Sequence, residues 1–352
     1  MSFTTSADGT HIAWSRHGTG PPLVRAGTWL THLDLDWSSP VWRHWLDALG
    51  QHFTVIRYDE RGSGLSERAP NGYSMEAWVA DLEAVVTAAR LNRFSLLGVS
   101  QGGATAVEYA AAHPERVENL ILWGAYGRGA VARDPAEEDR EERNLRWQIM
   151  RVGWGRDDPV FRRVFSTRLV PGATEAQMAW FDDLQRQSMS SDAALASSQA
   201  RALVDASAAA QRVSARTLAL HADGDRTVPF EEGRRLAGLI PGSRFISLHS
   251  QNHLLLEDEP AWLQFVEEVL SFAGASRVGM PSSPVTIREL EVLRLVAHGC
   301  SNEQIGSRLA LSVRTVERHL SNVYVKLSLS GRSARAAAVG RLRELEHGTV
   351  ER

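Results

Sequence analysis

Cys300 is the only cysteine in a chain of 352 residues, so no internal disulfide can form and nothing points to an oxidising compartment. Long apolar runs are missing too. No stretch approaches the roughly 18 residues that a membrane-crossing helix needs. The opening Met1-Ser2-Phe3-Thr4-Thr5 shows no basic segment followed by an apolar one. These absences set aside disulfide scaffolds and helical membrane proteins, and lead us to expect a cytoplasmic protein with no membrane partner. Net charge is also small, at −3, but it is unevenly spread. Residues 284–347 hold ten Lys/Arg against six Asp/Glu, whereas residues 1–283 hold 28 against 35. A small basic module on a larger acidic body suggests a nucleic-acid-binding appendage, although a difference of this size also occurs as plain solvated surface.

What is present is ordinary globular composition, 43% hydrophobic and 23% charged, at a length that suits two domains. The most informative stretch is Phe94–Gly103. It starts as a short apolar strand and ends in Gly98-x-Ser100-x-Gly102, and a helical pattern over Ala104–Ala112 follows at once. This is the strand–turn–helix context of a nucleophile elbow. Gly98, Gly102 and Gly103 leave room for strand and helix to crowd together, and the helix N-terminus aims its N–H groups at a developing oxyanion.

Strands and helices alternate on either side. Residues 3–25 read as a hairpin turning at Asp8-Gly9, then a run from Leu23 to Ala26. Further strands are read at Phe53–Tyr58, Asn119–Trp123, Thr217–His221 and Phe245–Leu248, with helices over residues 74–90 and Pro260–Phe272. The alternation predicts an α/β fold with a mostly parallel sheet covered by helices on both faces. Residues 127–212 interrupt it with polar, helical sequence and no convincing strand. An insertion there would lie over the C-terminal strand ends, where ligands bind in open α/β sheets. After Ser100 come two carboxylates, Asp223 and Asp225, and two histidines, His249 and His253. The order Ser100…Asp225…His253 is that of a nucleophile, an orienting acid and a base. We prefer Asp225 because Arg226-Thr227-Val228-Pro229 follows it. We prefer His253 because His249 sits in the apolar strand run, where a core histidine is expected.

Asp59-x-Arg61-Gly62-x-Gly64-x-Ser66, Gly98-Val99-Ser100-Gln101-Gly102-Gly103, Asp225-Arg226-Thr227-Val228-Pro229 and Asn252-His253 resemble, in order and spacing, the motifs of the α/β-hydrolase superfamily. The resemblance covers residues 1–275. It implies an α/β-hydrolase fold with a helical cap over about 127–212, and an oxyanion hole made by two backbone amides. One is that of Gln101. The other lies in the loop after the third strand, where the family usually shows His-Gly and this chain has Arg25-Ala26-Gly27-Thr28-Trp29. The register there admits Thr28 or Trp29.

Beyond residue 272 the α/β pattern stops. Residues 273–283 are rich in Gly, Pro and Ser and read as a linker, separating a first domain of 1–272 from a second of 284–352. Thr286-x-x-Glu289 is a capping box opening a helix with Ile287, Leu290, Leu293, Val296 and Ala297 on its apolar face, closed by Gly299. Ser301-x-x-Gln304 is a second capping box, and Ser312 can cap a third helix. On that third helix Val316, Leu320, Val323 and Leu327 share a face, while Arg314, Arg318, Ser321 and Val325 point away, flanked by Glu317, His319 and Asn322. Two short helices joined by a tight turn, the second outwardly basic, describe a helix-turn-helix. Thr286–Leu293, Gly299–Ile305, Leu311–His319 and Asn322–Leu327 resemble the LuxR-type helix-turn-helix over residues 284–347. That resemblance implies binding of double-stranded DNA as a homodimer, with a fourth helix at 332–346 often making the dimer contact. Carried over, Glu317, Arg318 and Ser321 would face base edges, and Arg314, Thr315, Asn322 and Lys326 would face phosphates.

Two functions follow from the combination. In one, the chain is a transcription regulator whose hydrolase domain binds a small ester, lactone or related carbonyl ligand. In the other, it is a serine esterase with an accessory DNA-binding domain. Neither calls for a metal or a cofactor.

Overall fold

The structure, a computed structural model, describes residues 1–133, 135–274, 287–309, 311, 313–327, 329 and 334–342. Within these, Ile287, Arg288, Arg314, Arg318, Val325 and Lys326 are described by their backbone alone. The chain divides into two compact units, Met1–Ser276 and Arg277–Arg352. Most of the linker read at 273–283, the Thr286 cap and the Ser312 cap lie outside the described residues.

The first unit is built on an eight-stranded mixed sheet. Its strands are β1 (Ser2–Thr5), β2 (His11–His17), β3 (Pro22–Arg25), β4 (Thr54–Tyr58), β5 (Phe94–Val99), β6 (Val117–Trp123), β7 (Arg216–Ala222) and β8 (Arg244–Leu248), in the order β1-β2-β4-β3-β5-β6-β7-β8. β1 and β2 form the antiparallel hairpin, β2 runs antiparallel to β4, and every other pairing is parallel. A central parallel strand is covered on both faces, so its sequence is a continuous apolar run. All six residues of β5 are buried. The period of two divides them between two cores. Leu97 and Val99 belong to the face packed against helices α1 (Arg43–Gly50) and α10 (Pro260–Phe272). Leu96 belongs to the face packed against α2 (Met75–Ala88), α3 (Gly102–Ala112) and α9 (Phe230–Leu239). Between β6 and β7 lie α4 (Glu137–Gly153), α5 (Val160–Leu169), α6 (Glu175–Ser188), α7 (Ser191–Ala202) and the short α8 (Ser207–Ala210).

The Asp59-to-Ser66 motif is a loop wrapped around its own first residue. Asp59 is fully buried and accepts from the amides of Leu33 (3.0 Å) and Leu65 (2.9 Å). Gly64 has φ +54°, and a Cβ there would lie 2.1 Å from Asp59 Oδ2, so only glycine fits. Arg61 makes a bidentate pair with Asp81 (2.7 and 2.6 Å) and reaches Asp8 (2.7 Å) in the hairpin turn.

The second unit is helical: α11 (Ile287–Ala297), α12 (Asn302–Leu309), α13 (Val313–Lys326) and α14 (Ala334–Gly340). Both halves of the Ser301 capping box form, Ser301 N–H donating to Gln304 Oε1 (2.8 Å) and Gln304 N–H to Ser301 Oγ (3.3 Å). Gly299 closes α11 with φ +76°. Val292, Val296, Ile305, Val316 and Leu320 make one core, and Leu293, Val323, Leu327 and Ala338 a second. Ala297, expected on the apolar face of α11, is exposed, and Val292 is buried. Arg335 on α14 donates to Asn302 Oδ1 and to the Cys300 carbonyl (both 3.0 Å), tying the fourth helix to the start of α12. No helix among the described residues is long and apolar enough to cross a membrane.

Candidate functional site

The end of β5 delivers Ser100 into a left-handed turn with φ +53°, a conformation that costs a non-glycine residue about 1–3 kcal/mol. The packing around it explains the glycines. A Cβ on Gly98 would lie 2.7 Å from Gly103 Cα, and one on Gly103 would lie 2.3 Å from Ala125 Cβ. A Cβ on Gly102 would lie 2.7 Å from the Gly27 carbonyl oxygen, which brings the loop after β3 hard against the elbow.

The end of β6 links the elbow to the histidine. Ser100 N–H donates to the Trp123 carbonyl (2.9 Å), and Trp123 Nε1 donates to the His253 carbonyl (2.7 Å). Next to it, Gly124 has φ +53°, and a Cβ there would lie 3.0 Å from His253 Cε1 and 3.6 Å from Asp225 Oδ2. His253 is fully buried, and its Nδ1–H donates to Asp225 Oδ2 at 2.6 Å. Its Nε2 is buried and has no hydrogen-bond partner among the described residues. Asp225 Oδ1 accepts from the amides of Thr227 (2.7 Å) and Val228 (3.0 Å), and His221 Nε2 lies 3.4 Å from Oδ2. Burial alone would raise this carboxyl. The charge interaction with His253, the bonds from both histidines and the Val228 amide outweigh burial and hold it well below the usual carboxylate range.

The competing pair sits elsewhere. His249 follows β8 rather than lying within it, its side chain is wholly exposed, and its Nδ1 pairs with the half-exposed Asp223 at 3.0 Å. The expectation of a core histidine was wrong, because the strand ends at Leu248, one residue earlier. His221, a neighbour of Asp225, was missed. It is the last apolar-patterned position but one of β7, and only the turn at 223–228 brings it back to the carboxylate.

Trp29 and Gln101 line the same cavity as Ser100, a space of about 180 Å³ walled on the other side by α4 and α7. Thr28 is buried outside that lining, with its hydroxyl donating to the Val99 carbonyl (3.0 Å). Among the described residues none accepts a hydrogen bond from the backbone amides of Thr28, Trp29 or Gln101. Trp29 is fixed by stacking on Trp154, with ring centroids 5.4 Å apart, and by Nε1–H donating to Met189 Sδ (3.1 Å).

On α13, Val316, Leu320 and Val323 are buried, as is Leu327 just after it, whereas Glu317 and Ser321 are exposed and Thr315 and Asn322 are partly so. The side chains of Arg314, Arg318 and Lys326 lie outside the described residues.

The alpha/beta hydrolase fold family matches residues 25–260, and the luxR family of bacterial regulatory proteins matches residues 283–338. The 2-hydroxy-6-oxo-2,4-heptadienoate hydrolase of Pseudomonas putida is 28% identical over 265 residues, 72% of this chain and 87% of its own. Pyrrolizixenacetamide deacetylase of Xenorhabdus hominickii is 26% identical over 258 residues, 71% of this chain and 90% of its own. Among solved structures, an esterase from Exiguobacterium antarcticum superposes with a TM-score of 0.66 at 25% identity, covering 78% of this chain and 99% of its own. An enol-lactonase from Burkholderia xenovorans gives 0.63 at 23% identity, covering 78% and 100%, a likeness of fold. The chain belongs to the alpha/beta hydrolase fold family, and it carries a C-terminal DNA-binding domain of the luxR family of bacterial regulatory proteins.

Proposed function

We propose that this protein is a homodimeric transcription regulator whose hydrolase domain binds and hydrolyses a small ester, lactone or related carbonyl compound. One observation carries the catalytic half. Among the described residues a buried histidine, oriented by a low-pKa carboxylate, keeps an unengaged Nε2, and Trp123 at the end of β6 ties its backbone to that of a serine held in a strained elbow. Ser100 Oγ attacks the carbonyl carbon as its proton passes to His253 Nε2. Asp225 holds the imidazole in the tautomer with the proton on Nδ1 and stabilises the imidazolium that forms. The tetrahedral oxyanion is received by the amides of Gln101 and Trp29. Thr28 is the weaker candidate because it lies behind the cavity wall. Collapse expels the alcohol, which takes the proton from His253. A water then repeats the sequence on the acyl-Ser100 and releases the acid.

The DNA half rests on α13, whose sequence carries Arg314, Thr315, Glu317, Arg318, Ser321, Asn322 and Lys326. Glu317, Arg318 and Ser321 are assigned to base edges and the others to phosphates. The relatives' names favour a second reading, an esterase with an accessory DNA-binding domain. Ester turnover by full-length protein tests the site. Ser100→Ala should lower kcat at least about a thousand-fold and His253→Ala nearly as much, with both variants folded. Wild-type turnover by Ser100→Ala would refute the nucleophile.

A further inference from the structure

The cavity at Ser100 is strongly one-sided in charge. Four arginines line it, Arg133, Arg143, Arg146 and Arg201, and among the described residues no aspartate or glutamate does. Three of the four are already engaged. Arg201, from α7, pairs with buried Glu60, donates to the Gln101 carbonyl (3.3 Å) and stacks over Trp78 at 3.9 Å, so it pins α7 to the elbow. Arg133 donates to the Arg128 carbonyl (2.7 Å) and lies 3.9 Å from Glu232, whose near partner is Arg128 at 2.6 Å. Arg146 Nη1 lies 2.6 Å from Glu142 without hydrogen-bond geometry, and Glu142 is shared with Arg168 at 2.6 Å.

Arg143 differs. Among the described residues it has no carboxylate partner. Among them its Nε, which is buried, also has no hydrogen-bond partner, and its side chain makes a long donation from Nη1 to the Ala130 carbonyl (3.4 Å). Its guanidinium lies over the ring of Trp147, also a lining residue, at 5.1 Å. Trp147 is in turn held by Nε1–H donating to Ser198 Oγ (3.1 Å). A planar cation held in place by an aromatic face, with donors unspent inside a cavity, is built to receive a carboxylate. A half-buried guanidinium with a buried, unengaged Nε is otherwise a cost with little to offset it.

We infer that the ligand of this cavity is anionic: an acid-bearing ester, lactone or enone whose carboxylate pairs with Arg143 while its carbonyl faces Ser100. The inference rests on the hydrolase reading above, so its test separates the two. Full-length wild type, Arg143→Gln, Arg143→Lys and Arg151→Gln are assayed by pH-stat on monomethyl glutarate and on the isosteric neutral methyl ester of glutaramic acid. Arg151 is on the same helix and exposed, and among the described residues its side chain bonds Gln148 alone. Wild type should favour the anionic ester in kcat/KM by roughly ten- to a hundred-fold, the range for a charge-assisted bond. Arg143→Gln should erase that preference, chiefly through KM. Arg143→Lys should keep part of it and Arg151→Gln all of it. An equal anionic-to-neutral ratio in wild type and Arg143→Gln overturns the inference while leaving the hydrolase reading intact. If wild type turns over neither ester, the hydrolase reading falls, and calorimetric binding of glutarate decides. Binding by wild type and its loss in Arg143→Gln support the inference, and no binding by wild type overturns it.

Discussion

Asp59 shows how one buried carboxyl can couple stability to pH. Burial is the main influence on it and the neighbouring Asp36 adds to it, while the Leu65 and Leu33 amides and Arg57 oppose, and the carboxyl is pushed up to about 7. Between its unfolded value near 4 and about 7, the folded protein holds a proton that the unfolded chain has released. A raised folded pKa therefore contributes stability at low pH that is lost as pH rises through that window. The loss is at most about 1.4 kcal/mol per pH unit. Asp59→Asn removes that slope, so its melting temperature relative to wild type should climb between pH 5 and pH 7.5 and then level off. A constant difference across that range would mean that Asp59 is ionised throughout. Single residues were legible in the sequence to different depths. Ser100 could be read from the spacing of small residues that its turn requires. The choice of His253 over His249 rested on a partly mistaken reason. His249 was set aside as a core residue, but it is exposed on Asp223. The role of Arg143 was not legible, since nothing in a helical run rich in Arg and Glu says which charges find partners.

At the scale of elements, α13 presents two faces with separable tasks. Leu320 is 3% exposed and packs with Val292, Val296, Ile305 and Val316, whereas Glu317 is exposed. Leu320→Ala should cost the C-terminal domain about 2–5 kcal/mol, measured by urea unfolding. Glu317→Ala should leave that transition within about 0.5 kcal/mol of wild type and relax base preference at one operator position by about 1–3 kcal/mol. If Glu317→Ala unfolds the domain and Leu320→Ala does not, the faces are reversed. These helices were legible because capping boxes and a 3.6-residue period act locally, and the Ser301–Gln304 box forms as its spacing requires. The sheet strands were legible for the same reason, through continuous apolar runs such as β5. Helix α9 gave little signal, because Phe230–Leu239 has its acidic first turn and its two arginines interleaved with few apolar positions. The five helices between β6 and β7 were legible only as a helical insertion, since their ends depend on packing against one another.

At the scale of the whole chain, a hydrolase domain and a DNA-binding domain on one polypeptide make a regulator only if their two ligands are coupled. Coupling needs no particular route. It needs two states of the protein that each ligand distinguishes, and its size cannot exceed the ligand's differential affinity for them. Typical values of about 1–3 kcal/mol correspond to roughly 5- to 150-fold. A homodimer offers such states directly, since two copies of α13 must meet successive major grooves about one helical turn apart, and a ligand that shifts the preferred arrangement shifts operator affinity. Turnover would blur the measurement, so the experiment uses full-length Ser100→Ala. Monomethyl glutarate, the anionic probe, is titrated with and without saturating operator duplex, and operator is titrated with and without the probe, at one fixed salt concentration. The two ratios of affinities must agree, because linkage is reciprocal, and for a regulator they should depart from one by about five-fold or more. A ratio of one in both titrations would leave a hydrolase whose DNA-binding domain reports nothing about the ester cavity. A departure from one that Arg143→Gln abolishes would make the arginine-lined cavity the sensing site.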